Sequence, residues 1–170
     1  MANPPGPAAG ISISQAKIER EGEFYLLQAV IQYNPSAAVL EALHSGVPMV
    51  FQVQLQVQRR GAWFWEYPIL ERRLPYQLRY HALAAAYELI TPEGAQPLRF
   101  ATLAAALRVM GKLERSRLVP VDYLKPNTPY ELRMEVTLDI ESLPVPLRPL
   151  AYLSKNWSIH QETRRWPLNP

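Results

Sequence analysis

The chain has 170 residues, 48% of them hydrophobic, with 18 Lys and Arg against 15 Asp and Glu and a formal charge of +3. That length suits one domain able to bury a core without staples, and so slight a positive balance gives little support to a nucleic-acid or other anionic partner. No cysteine is present, which excludes disulfides and thiolate metal sites, and no run approaches the ~20 apolar residues of a membrane helix.

Taken in order, MANPPGPAAG (residues 1–10) has too little hydrophobicity to order itself and shows neither the charged nor the apolar region of a signal peptide; it reads as a disordered tail before one domain over 11–168. Ile11 and Ile13 alternate with Ser12 and Ser14, then the phase slips to Ala16 and Ile18, which predicts an edge strand with a β-bulge. Glu21 and Gly22 make a turn into EFYLLQAVIQYN, whose middle is apolar on both faces and so predicts a central strand. Ser36 is placed to cap a short helix with Val39, Leu40 and Leu43 on one face, and Gly46 to close it.

VFQVQLQVQRRGAWFWEY (residues 50–67) carries the strongest pattern. Phe51, Val53, Leu55 and Val57 alternate with Gln52, Gln54, Gln56 and Gln58, the mark of a strand with one buried and one wet face. Residues 62–67 continue it or form a strand of their own. In the next strand, Leu74 to Tyr80, Pro75 cannot donate to a ladder and places that part at an edge or bulge. HALAAAYELI is helical by its alanines, but Tyr87, Leu89 and the Pro92–Glu93–Gly94 turn favour a hairpin. Thr102 caps a second helix, with Leu103, Ala106, Leu107 and Met110 as its apolar face and Gly111 at its end. RSRLV follows as a short strand, and Tyr130 to Ile140 repeats the strict alternation. LPVPLRPLAYL reads as an extended, polyproline-like crossing anchored by Leu147, Leu150 and Leu153, and residues 157–163 as a last strand. Proline, at 17 residues, is twice the usual ~5% and falls between the candidate strands.

Eight to ten strands with two short helices predict a mainly β fold, an antiparallel sandwich that is immunoglobulin-like in a loose sense. Of the candidate sites, Trp63, Phe64 and Trp65 stand out. Aromatic residues fill sandwich cores, so burial is the first expectation; exposure would instead mark a partner site, with Arg59 and Arg60 beside it. Arg59–Arg60, Arg72–Arg73 and Arg164–Arg165 could suit single-stranded nucleic acid or anionic headgroups, but Glu66, Glu71 and Glu162 dilute them, and they read better as solvated strand ends. His44, His81 and His160 lack metal-ligand spacing, and no nucleophile elbow or phosphate loop occurs, so neither an enzyme nor a cofactor is expected.

GVPMVFQVQLQVQRR with WFWE, LRYHALAAAYEL, FATLAAALRVMG, LDIESLPVPLRPLAYLSKNW and the closing RRWPL together resemble a proteobacterial family known as domain of unknown function 4390, over nearly all of residues 11–168. The resemblance implies no activity or catalytic residue. Its members typically begin with a hydrophobic leader, which implies a periplasmic location, and their genes often neighbour a sensor histidine kinase, which implies a kinase of the cell envelope as partner. The expected function is therefore an extracytoplasmic, non-enzymatic binding or accessory domain. The alternative is a small-ligand or lipid-binding β module, which requires an enclosed apolar cavity.

Overall fold

The computed structural model describes residues 9–63, 65–94, 96–155, 157 and 162–168. β1 (Gly10–Glu21) and β2 (Phe24–Asn34) form a hairpin whose turn holds Gly22 at φ +58. The phase slip foreseen in β1 is a bulge, with the register shifting between Ile13 and Gln15 and Ser14 donating its hydroxyl hydrogen to the Val30 carbonyl. β1 begins at Gly10, the last residue of the expected tail; residues 1–8 lie outside the described residues. β2 is central, as its apolar middle requires, between β1 and β7 (Lys112–Pro120) in a three-stranded antiparallel sheet.

The second sheet is antiparallel and six-stranded. β3 (Met49–Arg59) lies at its centre between β4 (Leu70–His81) and β8 (Tyr130–Leu138); β5 (Ala86–Ile90) and β6 (Leu98–Phe100) extend it on one side and β9 (Glu162–Leu168) on the other. The alternation in β3 does what its period dictates. Phe51, Val53, Leu55 and Val57 are fully buried, while the glutamines face outward, Gln54 bonding Glu71 and Gln58 bonding Glu131. Each such buried side chain contributes about 1.5–3 kcal/mol of hydrophobic stabilisation.

The two sheets share one core, and Tyr33 of β2 meets Phe51 of β3 edge-on across it, ring centroids 5.1 Å apart. On one flank β1 approaches β9. On the other, the wider sheet outruns the narrower. There α1 (Ala37–His44), capped by Ser36, packs on β4, and α2 (Leu103–Met110), capped by Thr102, packs on β5 and β6. The expected sandwich of antiparallel sheets is thus observed; its three-over-six strand order does not carry the immunoglobulin likeness, which sets four strands over three.

Several local expectations are corrected. The hairpin expected at HALAAAYELI exists, with Tyr87 and Leu89 in β5 paired to β6 beyond the Pro92–Glu93–Gly94 turn, but its alanines form a 3-10 turn (Ala82–Ala84) between β4 and β5. Ile140 leaves the β8 alternation for a 3-10 turn (Ile140–Ser142). The last strand runs through Arg164–Arg165–Trp166–Pro167 instead of ending at them. The proline-spaced segment is not extended. It forms a 3-10 turn (Val145–Leu147) and then a third helix, α3 (Arg148–Leu153), because its prolines sit at helix starts, where a missing N–H costs nothing. Leu150 and Leu153 are exposed and anchor nothing; Leu143 and Ala151 are the buried residues of the segment.

Tyr33 carries a buried hydroxyl with no partner among the described residues, and burial, with Tyr76 nearby, pushes its phenol far above the ordinary range. Tyr33→Phe keeps the ring against Phe51 and removes the orphan hydroxyl, so a gain of about 1 kcal/mol is expected in denaturant titrations. The sign of the pH effect follows. A phenol raised in the folded state contributes stability that is fully present below its unfolded value of ~10 and is lost as pH climbs above it. Tyr33→Phe should therefore resist alkaline unfolding better than the parent.

Candidate functional site

Residues 60–69 form the connection between β3 and β4, not the strand that alternation would extend. Gly61 turns the chain at φ +74, and the Arg60 amide donates to the Pro129 carbonyl at 2.9 Å. Glu66 then organises the rest. One guanidinium nitrogen of Arg59 lies 2.9 and 2.8 Å from its two carboxylate oxygens, and the Trp63 amide reaches one of them at 3.3 Å. The Glu66 amide bonds back to the Trp63 carbonyl at 2.9 Å. The loop is a closed turn pinned by a half-exposed ion pair; such a pair is worth under about 1 kcal/mol but fixes geometry.

This turn presents aromatics to solvent. Trp63 and Trp65 are 62% and 60% exposed and stack with ring centroids 5.0 Å apart and planes 8° off parallel; Tyr67, two residues further along the same loop, is 94% exposed. The expectation that the group would be buried is overturned for both tryptophans, while Phe64 lies outside the described residues. Stacking explains how they persist in water. Each ring covers one face of the other. Arg59 is committed to Glu66, and Arg60 is exposed.

The remaining candidates do not converge. Arg73 pairs with Glu71 and Arg164 with Glu162, two of the carboxylates that dilute these clusters in sequence, while Arg72 pairs with Glu93 and Arg165 with Glu131 from elsewhere in the chain. His44 accepts from or donates to the Tyr87 hydroxyl at 2.7 Å and meets the Tyr80 ring. His81 follows Tyr80 directly and so points to the opposite face, 3.4 Å from Glu88. His160 lies outside the described residues, and among those described no group of three or more acidic or histidine side chains could hold a metal. No helix among them is long and apolar enough to cross a membrane.

Two features escaped the sequence reading. Val145, Leu150, Tyr152 and Leu153 form an exposed apolar patch on and before α3, with Tyr152 bonded to Glu141. A cleft of about 830 Å³ also opens on the flank between β7 and β4, with Leu74 and Leu113 in its lining and charged residues at its rim. It is open and half polar, unlike the enclosed apolar cavity a lipid module would need. Only the run of apolar residues in LPVPLRPLAYL signalled the first; nothing local signals the second.

Residues 8–167 match the family model described as Domain of unknown function (DUF4390). Neither a curated protein nor a solved structure matches the chain. The protein belongs to that family.

Proposed function

We propose that the protein is a non-enzymatic binding domain whose β3–β4 loop docks onto another protein. The observation that carries this reading is the stacked, exposed Trp63–Trp65 pair with Tyr67, held in place by Arg59 and Glu66. Binding energy in protein interfaces concentrates in Trp, Tyr and Arg, and a rigid aromatic group loses little entropy on docking. A contiguous aromatic patch is costly to leave in water unless it has a use.

A protein partner suits this loop better than a bilayer or a nucleic acid. Both of those would draw on free cations around the aromatics, whereas here one arginine is tied to a carboxylate within the same turn. The extracytoplasmic location, and a sensor histidine kinase of the envelope as partner, enter from the family resemblance and belong to the proposal. Replacing Tyr67 with a photo-crosslinking phenylalanine analogue in the producing cells tests it. One discrete adduct is expected, absent when Trp65→Ala is added. An adduct pattern no different from that of a probe at Leu83, a fully exposed site on the β4–β5 connection, would contradict it.

A further inference from the structure

Among the described residues, the three-stranded sheet has one long edge that no other strand covers. β1 is approached by β9, but the far edge of β7 looks onto the flank cleft, which β7 residues 112–117 line together with Arg72, Leu74 and Tyr76 of β4. β5 pairs with β4 only from Gln77 onward, so among the described residues this part of β4 has no strand on its cleft side, in keeping with Pro75. The Arg72 guanidinium reaches across from the other sheet and donates to the Arg117 carbonyl, where a neighbouring strand would supply an N–H. The rim carries four cations, Arg72, Lys112, Arg115 and Arg117, against two carboxylates, Glu93 and Glu114. Arg72, Lys112 and Arg115 hold exposed ion pairs with Glu93, Glu114 and Glu21, weak enough for an incoming carboxylate to exchange, and Arg117 lies over the Phe24 ring. Buried Leu74 and Leu113 line the cleft as well.

From these features we infer that the cleft receives an extended, acidic segment of a partner protein, which adds to β7 as a fourth strand. Its acidic side chains meet the rim cations, and the alternate apolar ones rest on Leu74 and Leu113, the division that strand addition imposes. The lined stretch of β7 spans roughly 20 Å, the length of five or six extended residues. The register shifts of β7 on β2 and the positive φ of Arg115 interrupt the edge. Such irregularity guards an edge against unselected strands and leaves recognition to short, charge-matched ones. This second surface stands independently of the aromatic loop, although β4 leads from one to the other.

The test is a titration of the ¹⁵N-labelled protein with a pool of capped hexapeptides in which Asp or Glu alternates with Val, Ile or Leu. Shifts and amide-exchange protection are expected at residues 112–117 and 72–76, weakening as salt is added. A pool with Lys in place of the acids should produce none. Lys112→Glu with Arg117→Glu should weaken binding roughly tenfold, while Trp63→Ala with Trp65→Ala leaves it unchanged. If the charge-reversed protein does not fold, Lys112→Gln reports the same loss on a smaller scale. The inference is overturned by no shifts with the acidic pool, by equal shifts with the lysine pool or with free glutamate, by shifts outside the cleft, or by unaltered affinity in a folded charge variant.

Discussion

Gly111→Ala is expected to destabilise the protein by about 3 kcal/mol, the upper range for overpacking, and to lower its melting temperature by roughly 10 °C. A Cβ at this position would sit 2.0 Å from the Ile31 carbonyl oxygen and 3.2 Å from its carbon. Both are backbone atoms of a central strand, which cannot yield as a side-chain end would. The close approach is structural, since the Ile31 amide donates to the Gly111 carbonyl at 2.7 Å where α2 hands over to β7. Sequence alone suggests a left-handed helix cap here, yet Gly111 has φ −80, open to any residue; proximity, not conformational freedom, selects glycine. Gly46→Ala is the control. Gly46 has φ +88 and open space around it, so only the backbone strain of about 1 kcal/mol should appear. Equal losses in the two variants, read by thermal melting, would refute this account of Gly111.

The second large effect is a contrast among tryptophans. Trp157, 8% exposed, belongs to the shared core, and Trp157→Ala should cost about 3–5 kcal/mol as an aromatic deletion from a packed site. Trp63→Ala with Trp65→Ala removes more aromatic area in total, yet should leave stability within about 1 kcal/mol, because both rings are more than half exposed. Their mutual stacking is lost at the same time, so neither leaves the other with a newly exposed face. Chemical denaturation of the three proteins separates the cases. A loss in the Trp63, Trp65 double variant as large as that of Trp157→Ala would return the aromatic group to the core.

Most of the fold was legible where one face of an element is buried and the other wet. β3 and β8 show this alternation without error, and the slip after Ile13 located a bulge to within one residue. Legibility failed where two conformations share one pattern. Trp63 and Trp65, two apart, read equally well as one face of a strand or as a stack across a turn. What decides between them is the Arg59–Glu66 pair, whose partners are seven residues apart and meet only once Gly61 has turned the chain. Prolines in LPVPLRPLAYL forbid a helix interior but start helices, and nothing local says which applies. The flank cleft had no sequence signature, since it joins β4 to β7 across some forty residues of intervening chain and depends on one sheet being wider than the other. Of the arginine partners, Glu71 and Glu162 could be read from the sequence, since each lies two residues from the arginine it meets, whereas Glu93 and Glu131, which meet Arg72 and Arg165, lie far away along the chain.

The buried halves of β3 and β8 account for the fold, and the turn that follows β3 is where the chain exposes what it does not need for folding. The most direct measurement is the recovery of the Tyr67-crosslinked partner from cells producing the Trp63→Ala, Trp65→Ala protein, with its folding confirmed by melting. The account predicts a folded protein from which the partner is lost. Undiminished recovery of the same partner by that folded protein would contradict it.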